Sequence, residues 1–380
     1  MSPPGGASPD PRAGITLFLS GDVMTGRGID QALPHPGNPR LYEPWMRSAV
    51  EYVKLAERES GPIPGPLEPS YLWGDAMDEW RRVRPDARIV NLETAVTASE
   101  EADPGKGIHY RMHPANVSCL SAAGLDCCVL ANNHVLDWGR AGLQETVEVL
   151  GRAGIRSAGA GRDAAEAAAP AVIEVPSRGR VLVFAWGMAS AGVPAAWAAA
   201  GKRPGINFLD ELSPRSLDAI ARQIAAVKRP GDIVVASVHW GGNWNFGVSR
   251  EEQEFARGLI AAAGADLVHG HSSHHVKGIE VHRGKLILYG CGDFLNDYEG
   301  ISGHEEYRGD LALMYFPTLD PVTGGLAGLS MTPTHTVRFR VTRAPEEGVN
   351  WLEQTLNREG RRFGTRVERG QEGRLVLNWN

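Results

Sequence analysis

The chain has 380 residues, a formal net charge of −6 and 42% hydrophobic residues, which is enough for a sizeable buried core. A sequence pI of about 6.1 gives no basic footprint, so nucleic acid is excluded as an expected partner. The four cysteines include an adjacent pair in an apolar run, at Cys127 and Cys128, and do not form the pattern of a disulfide framework. The composition indicates a globular protein of a reducing compartment.

Residues 1–13 are rich in Pro, Gly and Ser and lack a charged start followed by an apolar segment, so they predict a disordered tail and not a secretory signal. No apolar stretch reaches the length that spans a bilayer. We therefore expect a cytoplasmic protein without a membrane anchor.

The first predicted strand, residues 15–20, is apolar and ends in Gly-Asp. Residues 31–75 are rich in Pro, Gly and aromatic residues around a helical patch at 44–58, and they predict an insertion. Insertions at strand ends commonly shape substrate pockets.

From Ala87 onward, strands and helices alternate, which is typical of an α/β sheet. Strands are predicted at residues 88–92, 126–131, 155–158, 171–175, 181–185, 233–238, 266–268, 276–282, 285–289, 311–316 and 334–341. Helices are predicted at 141–153, 214–228 and 250–263, with Ser213 and Ser249 as N-caps and Gly264 as a C-cap. Because the polar motifs from Asp22 to Asp293 must meet in space, we predict one catalytic domain at residues 14–345 and a C-terminal appendage at 346–380.

Polar side chains follow the first two long strands. Asp22 comes after a glycine, where a carboxylate can bind a hard cation or orient a histidine, although a turn or N-cap role is the alternative. In Asn91-Leu92-Glu93, Glu93 is a candidate metal ligand, and Asn91 is a candidate for orienting the substrate.

The run Ala131-Asn132-Asn133-His134 places two amides and an imidazole where a buried strand stops. Amide oxygens are acceptable cation ligands, and a histidine can move a proton at neutral pH. Asn132 is a candidate substrate contact, and His134 is a candidate for acid–base chemistry with Asp137 as its orienting carboxylate. Both asparagines could instead occupy a turn.

Histidines also end two later strands. His239 is followed by Trp240, two glycines and Trp244, and the two tryptophans are candidate substrate contacts. The second group is His269, His271, His274 and His275, four imidazoles in seven residues, of which His269 and His275 are expected at the surface.

Asp293 ends the hairpin that follows this cluster and is placed to orient a histidine. The loop with Tyr298, Glu299 and His304 is expected to cover the site. The remaining histidines are expected to be solvated: His35, His109, His113, His282 and His335.

In chain order, the motifs SGDVM, NLET, ANNHVLDWG, SVHWG, GHSSHH and ILYGCGDF resemble the CapA family, the poly-γ-glutamate capsule-synthesis relatives within the calcineurin-like metallophosphoesterases. The resemblance spans residues 14–316. It implies a four-layer α-β-β-α sandwich with metal-binding groups on loops at the strand ends. It also implies a metal set of Asp22, Glu93, Asn133, His239 and His271, with His134 as the acid–base histidine.

The sequence departs from the wider phosphoesterase pattern at several positions. Met24 stands in place of the histidine of Asp-x-His, Glu93 replaces a bridging Asp, and the GHSSHH run carries serines where many relatives have His or Pro. GCGDF carries Asp293 where capsule relatives usually carry Asn. One of two metal positions is thereby weakened, so we expect one divalent cation, or two, with Ca, Mn or Mg favoured over Zn.

One cation with several His/Asp pairs suits removal of a proton from an acidic carbon and its return on the other face. The candidate pairs are His134 with Asp22 or Asp137, and His271 or His274 with Asp293. We therefore expect a metal-dependent peptide epimerase, an isomerase acting at the α-carbon of a terminal residue, as in the CapA-like branch that acts on lasso-peptide precursors. Its substrate would be a peptide or polypeptide, including a ribosomal precursor peptide.

Two alternatives stay open from the sequence. One is a metal-dependent phosphoesterase or amide hydrolase on the same scaffold, and the other is a component of poly-γ-glutamate synthesis. An epimerase incorporates one solvent deuteron at carbon without cleavage, whereas a hydrolase releases two products.

Overall fold

Strands that alternate inward-facing and outward-facing apolar residues form two packed sheets at the centre of the protein. The computed structural model describes residues 14–380, so the tail predicted at 1–13 lies outside the described residues. The strands are β1 (Ile15–Val23), β2 (Ala87–Leu92), β3 (Ala95–Val96), β4 (Arg111–Met112), β5 (Cys127–Val129), β6 (Arg156–Ala158), β7 (Ala160–Gly161), β8 (Ala171–Val175), β9 (Gly179–Met188), β10 (Gly205–Ile206), β11 (Phe208–Leu209), β12 (Ile233–His239), β13 (Leu267–His271), β14 (Ile279–His282), β15 (Lys285–Leu288), β16 (Asp293–Leu295), β17 (Leu311–Leu319), β18 (Leu326–Val337), β19 (Arg340–Arg343), β20 (Thr365–Arg369) and β21 (Leu375–Trp379). The helices are α1 (Arg27–Ala32), α2 (Val50–Ser60), α3 (Ala76–Val83), α4 (Ser118–Ala122), α5 (Gly139–Arg152), α6 (Ala164–Ala168), α7 (Pro214–Ala225), α8 (Arg250–Ala261) and α9 (Glu346–Gly360).

Within residues 14–380, ten strands form the first sheet, in the order β20-β21-β18-β17-β1-β2-β5-β6, with β16 beside β1 and β19 beside β18. Seven strands form the second sheet, in the order β11-β9-β12-β13-β15-β14, with β8 beside β9. The central strands β1, β2 and β5 are parallel to one another, as are β9, β12 and β13. Their carboxyl ends therefore lie at the same edge of each sheet, where ligands bind in α/β folds.

Alternation of side chains along the strands builds three apolar layers. Leu17 and Leu19 of β1 pack between the two sheets, against residues such as Val183 and Val235 of the second sheet. Phe18 points the other way and packs with α1 to α5. The outer face of the second sheet packs on α7 and α8. The predicted four-layer α-β-β-α arrangement is confirmed.

The N-caps predicted at Ser213 and Ser249 are present, and Ser249 forms a reciprocal capping box with Glu252. Helix α8 ends slightly earlier than predicted, at Ala261, and Gly264 follows with φ +84°.

The C-terminal segment differs from its prediction as an appendage. Residues 346–380 form α9, β20 and β21, and β21 pairs with β18 through Ser330 opposite Val376. Apolar side chains of α9 fill one end of the space between the sheets. This segment is therefore part of the sandwich.

The predicted insertion, residues 31–75, contains α2, and its Leu67, Leu72 and Trp73 join the apolar layer outside the first sheet. None of the helices described for residues 14–380 has the length and hydropathy needed to cross a membrane.

Candidate metal and acid–base centre

Asp22 lies at the carboxyl end of β1, where strands converge on it from both sides. Its backbone is in register with Asn91 of β2 and with Asp293 of β16. A Cβ atom on Gly21 would lie 1.7 Å from the carbonyl oxygen of Gly292, so only glycine allows this close approach of the two strands. The sequence Gly-Asp thus places a carboxylate at the centre of the sheet edge.

The second sheet contributes two histidines to the same point. His239 ends β12, His271 ends β13, and the two are direct register partners with no exposed surface. Ligand atoms of Asp22, His239 and His271 all lie within 4.8 Å of one another. The next residue, Ser272, has φ +98° and its backbone N–H donates to Asp22 Oδ2 at 3.3 Å. This is a strained backbone conformation of the kind concentrated at functional sites.

A chain of hydrogen bonds fixes which nitrogen of His271 carries the proton. His269 Nε2 lies 2.7 Å from the carbonyl oxygen of Ser20, which only accepts, so this nitrogen carries the proton. Burial lowers the pKa of His269 to about 4, so its ring is neutral and Nδ1 must accept from the Ser237 hydroxyl at 3.0 Å. The Ser237 oxygen then accepts from His271 Nε2 at 2.9 Å. Since burial also keeps the pKa of His271 well below its usual value, His271 Nδ1 is a bare lone pair.

The same reasoning applies to His239. Its Nε2 donates to the Asn133 side-chain oxygen at 3.0 Å, and burial lowers its pKa, so Nδ1 of His239 is also unprotonated. The two Nδ1 atoms lie 2.7 Å apart. Two lone pairs at that distance repel each other, and a cation bound between them and Asp22 would remove the repulsion.

Burial also disfavours the charged form of the carboxyl groups beside these nitrogens. Burial raises the pKa of Asp22 to about 6, against a hydrogen bond from Glu93. Burial, together with the charge of Asp22, raises the pKa of Glu93 well above its usual value. Glu93 Oε2 is buried and has no hydrogen-bond partner within residues 14–380. Buried charges of this kind are normally paired or coordinate metals, so the residues present fit a divalent cation.

His134 forms the first of two histidine–aspartate pairs at the site. Its Nδ1 lies 2.6 Å from Asp137 Oδ2, which leaves Nε2 free, 3.9 Å from Glu93 Oε1. Burial lowers the pKa of His134 to about 4 despite the charge of Asp137. Lys106 Nζ lies 3.3 Å from the same Nδ1 and 2.7 Å from Asp137 Oδ1. His134 is therefore a neutral ring with an accepting nitrogen, the form of a general base.

His274 forms the second pair, with the opposite charge. Both oxygens of Asp293 lie 2.9 Å from His274 Nδ1, and Asn296 donates to Asp293 Oδ2 at 3.0 Å. Burial acts to lower the pKa of His274, but the Asp293 carboxylate outweighs it and the pKa is raised. His274 is therefore protonated more readily than an ordinary histidine, the form of a general acid. Asp22, His274 and Asp293 also form a second group with ligand atoms within 4.8 Å.

Two tyrosines connect the histidine pairs. The Tyr110 ring stacks on His134 with centroids 3.9 Å apart, and the Tyr298 ring lies 5.5 Å from that of His274. The two hydroxyl groups are 2.6 Å apart. The Arg27 guanidinium lies 4.9 Å from the Tyr110 ring.

Arg27 connects the two tyrosines, Tyr110 and Tyr298, to the insertion at residues 31–75. Its guanidinium forms ion pairs with Asp297 and with Glu43, the latter at 3.1 Å. Glu43 lies within residues 31–75 and also accepts from the Tyr52 hydroxyl. The insertion is thereby held against the candidate site.

The candidate site is deepest at the cation ligands and shallowest at the acid–base histidines. His239 and His271 are 0% exposed, whereas His134 and His274 are 7% and 9% exposed. Trp244 is half-buried, with its ring 5.1 Å from that of His274 and stacked at 4.1 Å on His304. A substrate would therefore reach the two histidines before the cation.

Three residues predicted to contact substrate have other partners. Asn132 donates to Asn91 Oδ1 at 3.0 Å and accepts from the backbone of His134, and Asn91 donates to Asp22 Oδ1 at 2.7 Å. Trp240 is buried in the apolar layer and donates to the Tyr289 carbonyl at 3.0 Å. Because these polar groups are already bonded within the protein, they shape the site and are not free for substrate.

Several expectations for histidines need correction. His269 and His275, expected at the surface, are fully buried. His269 is hydrogen-bonded to the Ser20 carbonyl and to Ser237, and His275 packs between Phe246 and Tyr307. His109, expected to be solvated, is buried and donates to the Asp103 carbonyl at 2.8 Å. Of the candidate pairs, the structure forms His134–Asp137 and His274–Asp293, while His271 donates to Ser237 and its Nδ1 lies beside that of His239.

Sequence reasoning missed four residues that act on the site: Arg27, Lys106, Tyr110 and Ser237. Ser237 could have been found from the sequence, because strand periodicity places it on the same face as His239. The structure puts it in register with His269. Lys106 and Tyr110 lie in a loop without a local pattern, and nothing in the sequence connects them to His134.

The two-sheet fold and this edge site define an α/β sandwich with a candidate cation centre between two histidine–aspartate pairs. Residues 16–298 match the family model described as bacterial capsule synthesis protein PGA_cap. The chain belongs to this family.

Named relatives agree with the family. The chain is similar to a probable polyglutamine synthesis accessory protein of Mycobacterium tuberculosis (strain H37Rv), with 48% identity over 354 residues that cover 93% of each chain. It is 25% identical to the PGA biosynthesis protein CapA of Bacillus subtilis (strain 168), over 96% of this chain and 82% of that one. The capsule biosynthesis protein CapA of Bacillus anthracis is 25% identical over 74% of this chain and 60% of its own length.

Proposed function

We propose that the protein is a metal-dependent acid–base enzyme that inverts the α-carbon of a terminal residue in a glutamyl chain or related peptide. The observation that carries the proposal is the pair of histidines beside the Asp22–Glu93 carboxyl groups, one with a lowered pKa and one with a raised pKa. When the surroundings of two titratable groups shift their pKa values in opposite directions, the group with the lowered pKa is the candidate base and the group with the raised pKa is the candidate acid.

One divalent cation fits Asp22, His239 and His271, and the Glu93 carboxyl group interacts with Asp22. Asn133, expected from the sequence to be a ligand, instead accepts from His239 Nε2 and so orients that ring. When bound, it would stabilise the negative charge that develops on a substrate carboxylate or amide oxygen. Imidazole nitrogens are poor ligands for Ca²⁺ and Mg²⁺, so of the metals that the sequence favours, the donor set supports Mn²⁺.

His134 is the proposed base. Its Nε2 accepts the proton from the substrate α-carbon, and the Nδ1–H bond to Asp137 stabilises the imidazolium that forms. Asp137 is itself fixed by the backbone N–H of Tyr110 at 2.7 Å. The ring is therefore held in one tautomer and one orientation.

His274 is the proposed acid. It comes from the second sheet, whereas His134 follows a strand of the first sheet, so the two rings approach the carboxyl groups from different layers. His274 delivers a proton from Nε2 to the α-carbon while Nδ1 stays on Asp293. One proton leaves the carbon and another returns, so the configuration inverts without bond cleavage.

The names of the relatives support the substrate class. One is named for polyglutamine synthesis and another for PGA biosynthesis, and a chain of glutamyl residues ends in the carboxylate that such a reaction needs. Lys106, partly exposed and bonded to Asp137, is the cation nearest the base and can attract that terminus. A terminal residue fits a site whose acid–base groups are nearly buried.

The second ligand group, Asp22 with His274 and Asp293, favours a different function. If His274 were deprotonated and bound a second cation, the two cations would share Asp22 in the manner of two-metal hydrolases. This alternative is a phosphoesterase or amide hydrolase. A third function, as a non-catalytic component of polymer synthesis, makes both histidines dispensable.

The test is incubation with Mn²⁺ and short γ-glutamyl peptides in heavy water, with chiral analysis and mass readout. We expect inversion with a one-dalton gain and one bound metal ion per chain. In His134→Ala and His274→Ala, inversion should be lost, but one of the two variants should keep exchange at the α-carbon because its remaining histidine still serves one face. The half-exposed His282→Gln is the matched control and should behave as the wild type.

Other outcomes would separate the alternatives. Two metal ions per chain with release of fragments or phosphate would refute the epimerase in favour of hydrolysis. Polymer synthesis that is unimpaired in both histidine variants would refute catalysis altogether.

A further inference from the structure

A cavity of about 350 Å³ lies on the C-terminal part of the first sheet, away from Asp22. It is lined by Arg82 of α3, Ser330 of β18, Val376 of β21 and the turn Gln371–Arg374. In the sheet, β21 is separated from β1 by β18 and β17. The cavity is therefore not part of the candidate active site.

An arginine cluster around one buried carboxylate lies beside this cavity, and two of its members, Arg82 and Arg374, line the cavity. Glu79 is 2% exposed and receives Arg82, Arg343 and Arg374, the last at 2.8 Å. Thr332 also donates to Glu79 at 2.8 Å. Although burial acts to raise it, the pKa of Glu79 is lowered by Thr332 and by the arginines, so the carboxylate is ionised. Three guanidinium groups face a single buried negative charge.

Within residues 14–380, Glu372 is the one residue with a carboxylate that lines the cavity, and its position is easily changed. Glu372 forms an ion pair with Arg82, but its side chain is 59% exposed and its backbone has φ +58°. With Glu372 in place the cluster has one positive charge in excess, and with Glu372 turned to solvent it has two. Exposed ion pairs contribute little to stability, so displacing Glu372 costs little.

The lining also carries hydrogen-bond donors, beside the apolar Val376. Arg374 Nε is buried and has no partner within residues 14–380. Gln371 and Ser330, which carry an amide and a hydroxyl group, also line the cavity. Guanidinium groups bind carboxylates and phosphates through paired N–H bonds, so the cavity is suited to an oxyanion.

We propose that the cavity lined by Arg82 and Arg374 binds a carboxylate of an anionic polypeptide, and that this carboxylate displaces the side chain of Glu372 from Arg82. The choice of a glutamyl chain as this polypeptide rests on the proposed function. Binding at the cavity would hold the polymer at a second point, so long chains would bind more tightly than short ones.

The test is calorimetric titration of the full chain, in the His134→Ala background, with a γ-glutamyl decamer, glutarate and inorganic phosphate. We expect Arg374→Gln to weaken decamer binding about tenfold and Glu372→Gln to tighten it about threefold, because one removes a donor and the other a competitor. Circular dichroism and thermal unfolding would verify that both variants fold. Glu372 is exposed, so its variant keeps the test valid if Arg374→Gln does not fold.

Unchanged binding in Glu372→Gln and in a folded Arg374→Gln would refute the cavity as the site. Inorganic phosphate binding more tightly than the decamer would also refute it, in favour of a free-anion site. Because the His134→Ala background removes turnover but not the cavity, decamer binding there is independent of whether the proposed reaction occurs.

Discussion

The hydroxyl group of Ser237 decides whether His271 presents a lone pair to the proposed cation, so Ser237→Ala is the sharpest test of the proposed metal site. Ser237 bonds His269 at 3.0 Å and the Nε2 atom of His271 at 2.9 Å, and Nε2 is not the nitrogen proposed to bind the cation. Without the hydroxyl, nothing holds the proton on His271 Nε2. The ring can then carry it on Nδ1, where it blocks the cation.

The size of the effect follows from the geometry. A buried N–H left without an acceptor costs roughly 1–3 kcal/mol of folding free energy. Loss of a group that orients a metal-bound histidine typically weakens metal affinity about 10–100-fold. At a cation concentration about 1,000 times the wild-type Kd, binding stabilises the wild type by about 4 kcal/mol. For a 30-fold weaker Kd the same concentration gives about 2 kcal/mol.

The assay is thermal unfolding of the full chain with and without Mn²⁺, together with calorimetric measurement of the Kd. The rise in Tm caused by Mn²⁺ should fall to about half in Ser237→Ala. Ser273→Ala is the matched control, because Ser273 is equally buried but its hydroxyl donates only to the His275 carbonyl at 2.9 Å. Equal Mn²⁺ affinity in the wild type and in both variants would refute the tautomer argument.

Two further predictions concern pH and substrate binding. Without added cation, the free energy of unfolding should decrease as pH falls from about 6.5 towards 4. Burial lowers the pKa of His134, His269 and His275 to about 4 and those of His239 and His271 further, so only the unfolded chain takes up these protons. Asp22, with a pKa raised to about 6, and Glu93, Asp30 and Asp126, whose pKa values burial also raises, act in the opposite sense. They are fewer than the histidines, so the unfolded chain still binds more protons as the pH falls and the free energy of unfolding decreases. Denaturant titrations between pH 4.5 and 7 would measure it, and a flat profile would contradict the burial of neutral histidines. Separately, Trp244→Ala should raise KM for a peptide substrate about 3–10-fold with little change in kcat, since the ring stacks beside His274 without bonding it, and Trp244→Phe should restore most of the loss. A loss confined to kcat would argue against a binding role.

Most of the central fold could be predicted from local patterns, because buried parallel strands are apolar runs that end in turn residues. The strand at residues 15–20 and the helices near 141–153 and 250–263 all exist, with boundaries shifted by a few residues. The predicted strand at 334–341 is interrupted instead, since Arg338 and Phe339 adopt φ +53° and +57° and start a hairpin. Arg-Phe is not a typical pair for such a turn, so no local signal marked it.

The C-terminal segment could not be predicted because its pairing is non-local. Strands β20 and β21 are rich in Arg, Glu and Asn, and their exposed faces hide the alternation of Val367, Leu375 and Leu377. What makes them strands is the open edge of β18, more than thirty residues away in sequence. Tertiary pairing of this kind overrides weak local propensity.

The site shows the same division between local and long-range information. Residues on strand ends, such as Asp22, His239 and His271, could be found because parallel strands bring their carboxyl ends together. The pairing of His274 with Asp293 depends on β16, a three-residue strand that adds to the first sheet beside β1. The roles of Asn91 and Asn132 also required coordinates, since an amide that orients a carboxylate and an amide that contacts substrate look alike in sequence.

Both the sequence and the geometry of the site bear on how many cations it could bind. Met24 stands where the phosphoesterase pattern that the sequence resembles carries a histidine, and Ser273 is one of the serines that stand where many relatives carry His or Pro. Both are buried and bonded within the protein, Met24 Sδ to the backbone N–H of Gly26 at 3.2 Å and Ser273 to a carbonyl. The neighbouring space contains His274, whose Nδ1 is held by both oxygens of Asp293. A histidine whose pKa is raised by its aspartate disfavours a second cation and favours proton donation, so this geometry agrees with the proposed single cation and the proposed acid role of His274. The same geometry gives a physical reason for expecting proton transfer rather than two-metal hydrolysis.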